Sequence, residues 1–137
     1  MVQVRDVMSS NVESCSNQDS LEAVAQKMKS LNVGAIPVVE NGQVVGMVTD
    51  RDLVIRGITG HAGNISQVAS QNIVTVDANA SLEDAAALMS QYQVRRLPVV
   101  ENGQLVGIVS LGDLAVRDQS NQSAGGALTQ ISKHNLQ

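Results

Sequence analysis

The chain has 137 residues, 43% of them hydrophobic and 16% charged, with a formal net charge of −4 at pH 7. An acidic balance repels phosphate backbones, and the lone aromatic residue, Tyr92, offers no platform for stacking bases, so no nucleic acid partner is expected. No run approaches the roughly 18 apolar residues of a membrane span, and the opening "MVQVRDVMSS" lacks a secretory apolar core; the expected location is cytoplasmic, with no membrane partner.

With no Phe or Trp, the core must be aliphatic. Cys15 is the only cysteine and has only His61 and His134 for company, so neither an intrachain disulfide nor zinc-type ligand spacing is available. No metal site is expected.

In chain order, a short strand is predicted around Asn11 to Ser14. Leu21, Val24, Ala25, Met28 and Leu31 then fall on one helical stripe. "AIPVVENGQVVGMV" follows, with β-branched runs on both sides of Asn41-Gly42, a pair suited to the positive φ values of a type I′ hairpin turn. A second, shorter helix is predicted in "DRDLVIRG", capped by Thr49 and stopped by Gly57. "GITGHAGN", residues 57–64, reads as a connector because it has three glycines and no periodicity.

The same series then recurs. At an offset of 61 residues, Ser20 to Arg56 matches Ser81 to Arg117 without a gap, with 19 identities in 37 positions, among them the whole of "PVVENGQ". The offset continues upstream through Val4 and Ile65, Val7 and Val68, Asn11 and Asn72, and Val12 and Ile73. The second copy predicts a strand around Asn72 to Thr75, a helix striped by Leu82, Ala85, Ala86, Met89 and Tyr92, the hairpin "RLPVVENGQLVGIV", and a short helix in "LGDLAVRD" capped by Ser110. An internal repeat of this size decides the architecture. The expected fold class is α+β: two tandem β-α-β-β-α units, each with helices on one face of a three-stranded sheet and its other face covered by the sister unit. The expected boundaries are 1–60, 61–118 and a polar tail, 119–137.

The repeated polar feature is the turn leaving each hairpin: Gly46, Thr49 and Asp52 in "GMVTDRDL", and Gly107, Ser110 and Asp113 in "GIVSLGDL". A hydroxyl residue followed three positions later by an acid has two readings. One is a capping box, worth about 0.5 to 2 kcal/mol. The other is a nucleoside phosphate site, in which the hydroxyl and helix start attract phosphate and the carboxylate accepts from a ribose diol. Duplication alone does not separate them.

The β-α-β-β-α order, the "PVV" strand, the Asn-Gly turn, the glycine after it and the closing Thr/Ser-x-x-Asp resemble the CBS domain, named after cystathionine β-synthase. The tandem arrangement, over Val4 to Arg117, is similar to a Bateman module and to small stand-alone bacterial proteins made of one CBS pair. The resemblance implies two units packed sheet to sheet about a pseudo-two-fold axis, with clefts between them for AMP, ADP, ATP, NAD or S-adenosylmethionine. It assigns ribose binding to Asp52 and Asp113, and the hydroxyl contact to Thr49 and Ser110. Adenine falls among Val33, Ala35, Ile36 and Pro37, or Val94, Leu97 and Pro98.

The repeats differ in charge. Arg95 and Arg96 stand where the first repeat has Gly34 and Ala35; by the same resemblance they reach phosphates, and otherwise they are solvated arginines. Conversely, Asp50 and Arg51 stand where the second repeat has Leu111 and Gly112. Arg56 and Arg117 close the second helices, as the helix dipole favours.

The expectation is a regulatory module sensing an adenosyl ligand. It requires no cofactor, forms a homodimer and can act on an effector protein in trans. The alternative is a structural homodimerisation scaffold with no ligand. No catalytic residues are expected: the chain has no plausible Ser-His-acid or Cys-His set, no GxGxxG and no GxxxxGK[ST].

Overall fold

The structure is a computed structural model that describes residues 2–115; Arg117, His134 and the expected tail lie outside the described residues. The elements run α1 (Val4–Val7), α2 (Leu21–Leu31), β1 (Ala35–Glu40), β2 (Gln43–Thr49), α3 (Asp50–Asp52) continuing as a π-helical turn (Leu53–Ile58), a 3₁₀ turn (Ile65–Gln67), β3 (Val76–Asp77), α4 (Leu82–Tyr92), β4 (Arg96–Glu101), β5 (Gln104–Ser110) and α5 (Leu111–Ala115). The mixed α+β class and the duplicated helix, hairpin and closing helix follow the sequence reading.

Both long helices start and end for local reasons. Ser20 accepts the Ala23 N–H and Ser81 accepts the Asp84 N–H, each satisfying a donor that the first turn leaves open. Asn32 and Gln93 close the helices in the left-handed region, and the Val33 and Val94 N–H groups donate back to Met28 and Met89 carbonyls, a Schellman-type ending. Both hairpins turn on Asn-Gly with all four φ values positive: 55° and 81° at Asn41 and Gly42, 54° and 81° at Asn102 and Gly103. Each carries a register shift at the same place, between Val38 and Val39 and between Val99 and Val100.

The short leading strands lie elsewhere than predicted. In the second repeat the strand is Val76–Asp77, pairing parallel with Val99 and Val100, and 72–75 lies outside it. In the first, Asn11 to Ser14 forms no strand, and Cys15 makes a single bridge to Val38. Pairing is set by where the chain reaches the hairpin, not by where its β-branched residues cluster. Gly57 does not stop the second helix. It is buried inside the π-helical turn, where a Cβ would lie 2.9 Å from Leu21 Cδ2, so its missing side chain allows that turn to approach α2.

The described chain divides into two compact units that do not coincide with the repeats: Glu13–Ile73, and the chain up to Val12 together with the chain from Val74 onward. The segment leading each repeat packs on the hairpin of the other. Val4 and Arg5 donate N–H groups to Ala80 and Ala78 carbonyls, and Ser9 exchanges both backbone bonds with Ile108 at 2.9 Å. At the 61-residue offset, Ile65 and Ser66 donate to Asp19 and Asn17, and Ser70 exchanges both bonds with Met47. Arg5 also bonds Asn79 and pairs with Glu101.

Each unit has its own aliphatic core. One gathers Val4, Val76, Leu82, Ala85, Ala86, Met89, Leu97, Val99, Val109 and Leu114; the other gathers Cys15, Val24, Met28, Ile36, Val38, Val48, Ile65 and Val68. The helical stripes are buried unequally. Ala86 is buried whereas Ala25 is exposed, and Leu31 and Tyr92, at the ends of their stripes, are exposed as well. Truncating the fully buried Met89 to alanine costs about 2 to 5 kcal/mol.

Candidate functional site

The two hairpin exits have the same geometry. Thr49 N–H donates to Asp52 Oδ2 at 3.0 Å, and Asp52 N–H donates to Thr49 Oγ1 at 3.1 Å. Ser110 N–H donates to Asp113 Oδ2 at 2.8 Å, and Asp113 N–H donates to Ser110 Oγ at 3.1 Å. These are capping boxes, so that reading of the sequence holds. It leaves the other reading open. Capping engages one carboxylate oxygen, while Oδ1 of each aspartate and the O–H of each hydroxyl keep their capacity for a ligand. All four residues are partly buried, at the boundary between core and solvent.

The start of the hairpin lies beside this turn. Ala35 is the cross-strand partner of Thr49, and Arg96 that of Ser110. One residue further out, Asp50 N–H donates to the Gly34 carbonyl at 2.9 Å and Leu111 N–H to the Arg95 carbonyl at 2.8 Å. Each junction therefore gathers its predicted hydroxyl and acid with the residues opening its own hairpin. Of the apolar candidates, Ile36 and Leu97 are fully buried in the two cores and Pro37 and Pro98 are buried too; Val33, Ala35 and Val94 keep accessible surface. Arg95 and Arg96 are exposed.

Two features escaped the sequence reading. The Asp50 carboxylate lies against Gly34, with Oδ2 3.3 Å from where a Cβ on that glycine would stand. The absence of a side chain at Gly34 was the available signal. The second is an apolar groove of about 370 Å³ in the Glu13–Ile73 unit, between α2 and the π-helical turn, lined by Leu21, Ala25, Met28, Leu53, Val54 and Ile58, with Glu22 and Asp50 on its rim. Val54, Ile55 and Ile58 are 53%, 54% and 70% exposed, unusual for aliphatic side chains so close together in sequence.

Burial pushes the Cys15 thiol up to about 11, helped by Asp19 and Glu40 and opposed by Lys27. The thiol is thus neutral at physiological pH and a poor nucleophile or metal ligand. Among the described residues no three His, Cys, Asp or Glu side chains come together as metal ligands, and no helix is long and apolar enough to cross a membrane.

Two copies of one helix-hairpin-helix series, each closing on a hydroxyl-acid turn, define a tandem-repeat protein of the α+β class. The model of the CBS domain family matches residues 4–57 and 65–118, and the chain belongs to that family. It is 50% identical over 139 residues to the CBS domain-containing protein YhcV of Bacillus subtilis strain 168, covering 99% of both chains. Among solved structures, Hypoxic Response Protein I with two coordinated zinc ions is similar at a TM-score of 0.78 and 36% identity, covering 85% of this chain and 98% of that one. The CBS domain pair of protein MJ0100, solved with 5′-methylthioadenosine and S-adenosyl-L-methionine, shares the fold at a TM-score of 0.75 and 24% identity, covering 85% and 94%.

Proposed function

We propose that this CBS pair is a non-catalytic regulatory module that binds adenosyl ligands, with one ribose-binding junction in each repeat. The observation carrying the reading is that both Thr/Ser-x-x-Asp turns satisfy their caps with one carboxylate oxygen. A second oxygen and a hydroxyl remain beside the opening of the hairpin. A carboxylate oxygen accepting from a ribose hydroxyl forms a charge-assisted bond, stronger than a neutral one. Asp52 and Asp113 bind ribose; Thr49 and Ser110 contact ribose or phosphate. Val33, Ala35 and Val94 supply the accessible apolar surface for adenine, and the buried Ile36, Pro37, Leu97 and Pro98 contribute through the backbone and by backing it. The same fold holds adenosyl ligands in MJ0100.

Such a module acts by population shift. A ligand moves a conformational equilibrium only by its differential affinity for the states, and the moved state is then read by a second copy or by an effector protein in trans. Calorimetric titration with AMP, ATP, NAD and S-adenosylmethionine tests the proposal: heat at concentrations below millimolar supports it. Silence across the panel supports the second reading, a homodimerising scaffold, which the exposed Val54, Ile55 and Ile58 favour.

A further inference from the structure

The two junctions are built alike in backbone and differ in charge. Positions 34 and 50 of the first repeat, like positions 95 and 111 of the second, are joined by one N–H to carbonyl bond next to the hydroxyl residue of the turn. In the first repeat this pair is Gly34 and Asp50. The carboxylate lies over the glycine, and its Oδ1 accepts the Arg51 N–H at 2.8 Å, which fixes it there. In the second repeat the pair is Arg95 and Leu111. Leu111, standing where the first repeat has its acid, turns into the core at 8% exposure, and Arg95 is exposed beside it. One step along, Ala35 faces Thr49 across the hairpin, whereas the exposed Arg96 faces Ser110.

Over these matched positions, Gly34, Ala35 and Asp50 to Asp52 carry a net −1, while Arg95, Arg96 and Leu111 to Asp113 carry +1. The exchange is coupled by geometry as well as charge. At 3.3 Å from the Asp50 carboxylate, a side chain at position 34 is crowded unless residue 50 gives way, as Leu111 has done in the second repeat. An anionic phosphate next to the hydroxyl finds two exposed arginines opening the hairpin in one repeat; in the other it finds a fixed carboxylate, with the single exposed cation of Arg51 next along the chain.

We propose that the two junctions select adenosyl ligands by charge: the second repeat takes a phosphate-bearing nucleotide, and the first takes a phosphate-free adenosyl compound, neutral or cationic. The proposal rests on the adenosyl reading above. Asp50 and Gly34 are the specificity determinants of the first junction, and Arg95 and Arg96 those of the second.

The test uses the full chain and three probes: AMP, 5′-methylthioadenosine and S-adenosylmethionine. Asp52→Ala leaves the second junction and Asp113→Ala leaves the first; Asp52→Asn and Asp113→Asn, which retain a capping acceptor, replace either variant that fails to fold. With only the second junction, AMP is expected to bind at least tenfold more tightly than S-adenosylmethionine, and with only the first the order reverses. Adding Asp50→Leu to the first-junction protein is expected to raise AMP affinity severalfold. The same preference at both junctions, or an Asp50→Leu protein unchanged toward AMP, overturns the proposal and leaves the adenosyl reading standing. No binding of any probe to the unaltered protein overturns both.

Discussion

Thr49 and Asp52 hold each other by two reciprocal bonds, each backbone N–H donating to the other's side chain at 3.0 and 3.1 Å, and Ser110 and Asp113 repeat the arrangement. One carboxylate oxygen thus fixes the turn while the other stays available. The capping role and the proposed ribose-binding role therefore fall on one residue without competing for an atom.

The first prediction separates those roles. Asp113→Ala removes both and is expected to destabilise the fold by about 1 kcal/mol, the worth of a cap, and to abolish binding at its junction. Asp113→Asn keeps a capping oxygen, so its denaturation midpoint is expected to stay near that of the parent while affinity still falls at least tenfold. If Asp113→Asn binds as well as the parent, the carboxylate is not a ligand contact.

Gly107 and Gly46 lie close against the leading segments. A Cβ on Gly107 would stand 2.8 Å from the Ser9 carbonyl and 2.6 Å from Met8 Sδ; one on Gly46 would stand 2.9 Å from the Ser70 carbonyl. Met8 can swing aside, but the Ser9 carbonyl is tied by the Ile108 N–H. Gly107→Ala is therefore expected to cost about 1 to 3 kcal/mol. Hydrogen exchange at Ser9 and Ile108 is expected to quicken while amides within α4 keep their protection. An unchanged exchange pattern would mean that the segment is not held by that contact.

These glycines mark how far the sequence could be read. The hairpins were legible because Asn-Gly states its own backbone conformation, and α2 and α4 because Ser20 and Ser81 cap clear apolar stripes. The Thr/Ser-x-x-Asp turn was legible as a cap from spacing alone. What failed depended on contacts between residues distant in sequence. Nothing local in Val4 or Ile65 says which hairpin each will cover, so the compact units could not be read from the repeat boundaries. The exposure of Ala25 against the burial of Ala86 was hidden for the same reason, since aligned residues of equal hydropathy met different neighbours. The opposition of Asp50 to Gly34 was present in the composition of the repeats, but its geometry was not.

The groove beside the π-helical turn yields a prediction about assembly. Ile58, 70% exposed, contributes little to its own unit, so Ile58→Glu is expected to change stability by no more than about 0.5 kcal/mol. If the exposed Val54, Ile55 and Ile58 join two copies, a charge among them is expected to halve the mass measured by sedimentation at micromolar concentration. A dimer that survives Ile58→Glu unweakened places the contact elsewhere.

Cys15 supports a pH prediction of definite sign. Burial lifts its thiol from the ordinary 9.0 to about 11, so the fold holds the proton more tightly than the unfolded chain does. The corresponding stability is fully present below pH 9.0 and is lost as pH rises through about 11, because the unfolded state then gains by ionising where the folded state cannot. At about 1.4 kcal/mol per pH unit, the loss has a ceiling of about 3 kcal/mol. Other groups titrate in this window, so the quantity to measure is the difference between the parent and Cys15→Ala in denaturant midpoint, taken at about pH 8 and about pH 10.5. The parent is expected to lose more stability than the variant over that interval, and its thiol to react slowly with alkylating reagents at neutral pH. Parallel losses in the two proteins, or rapid alkylation of the folded parent, would contradict a buried, neutral thiol bonded through its backbone between Pro37 and Val39.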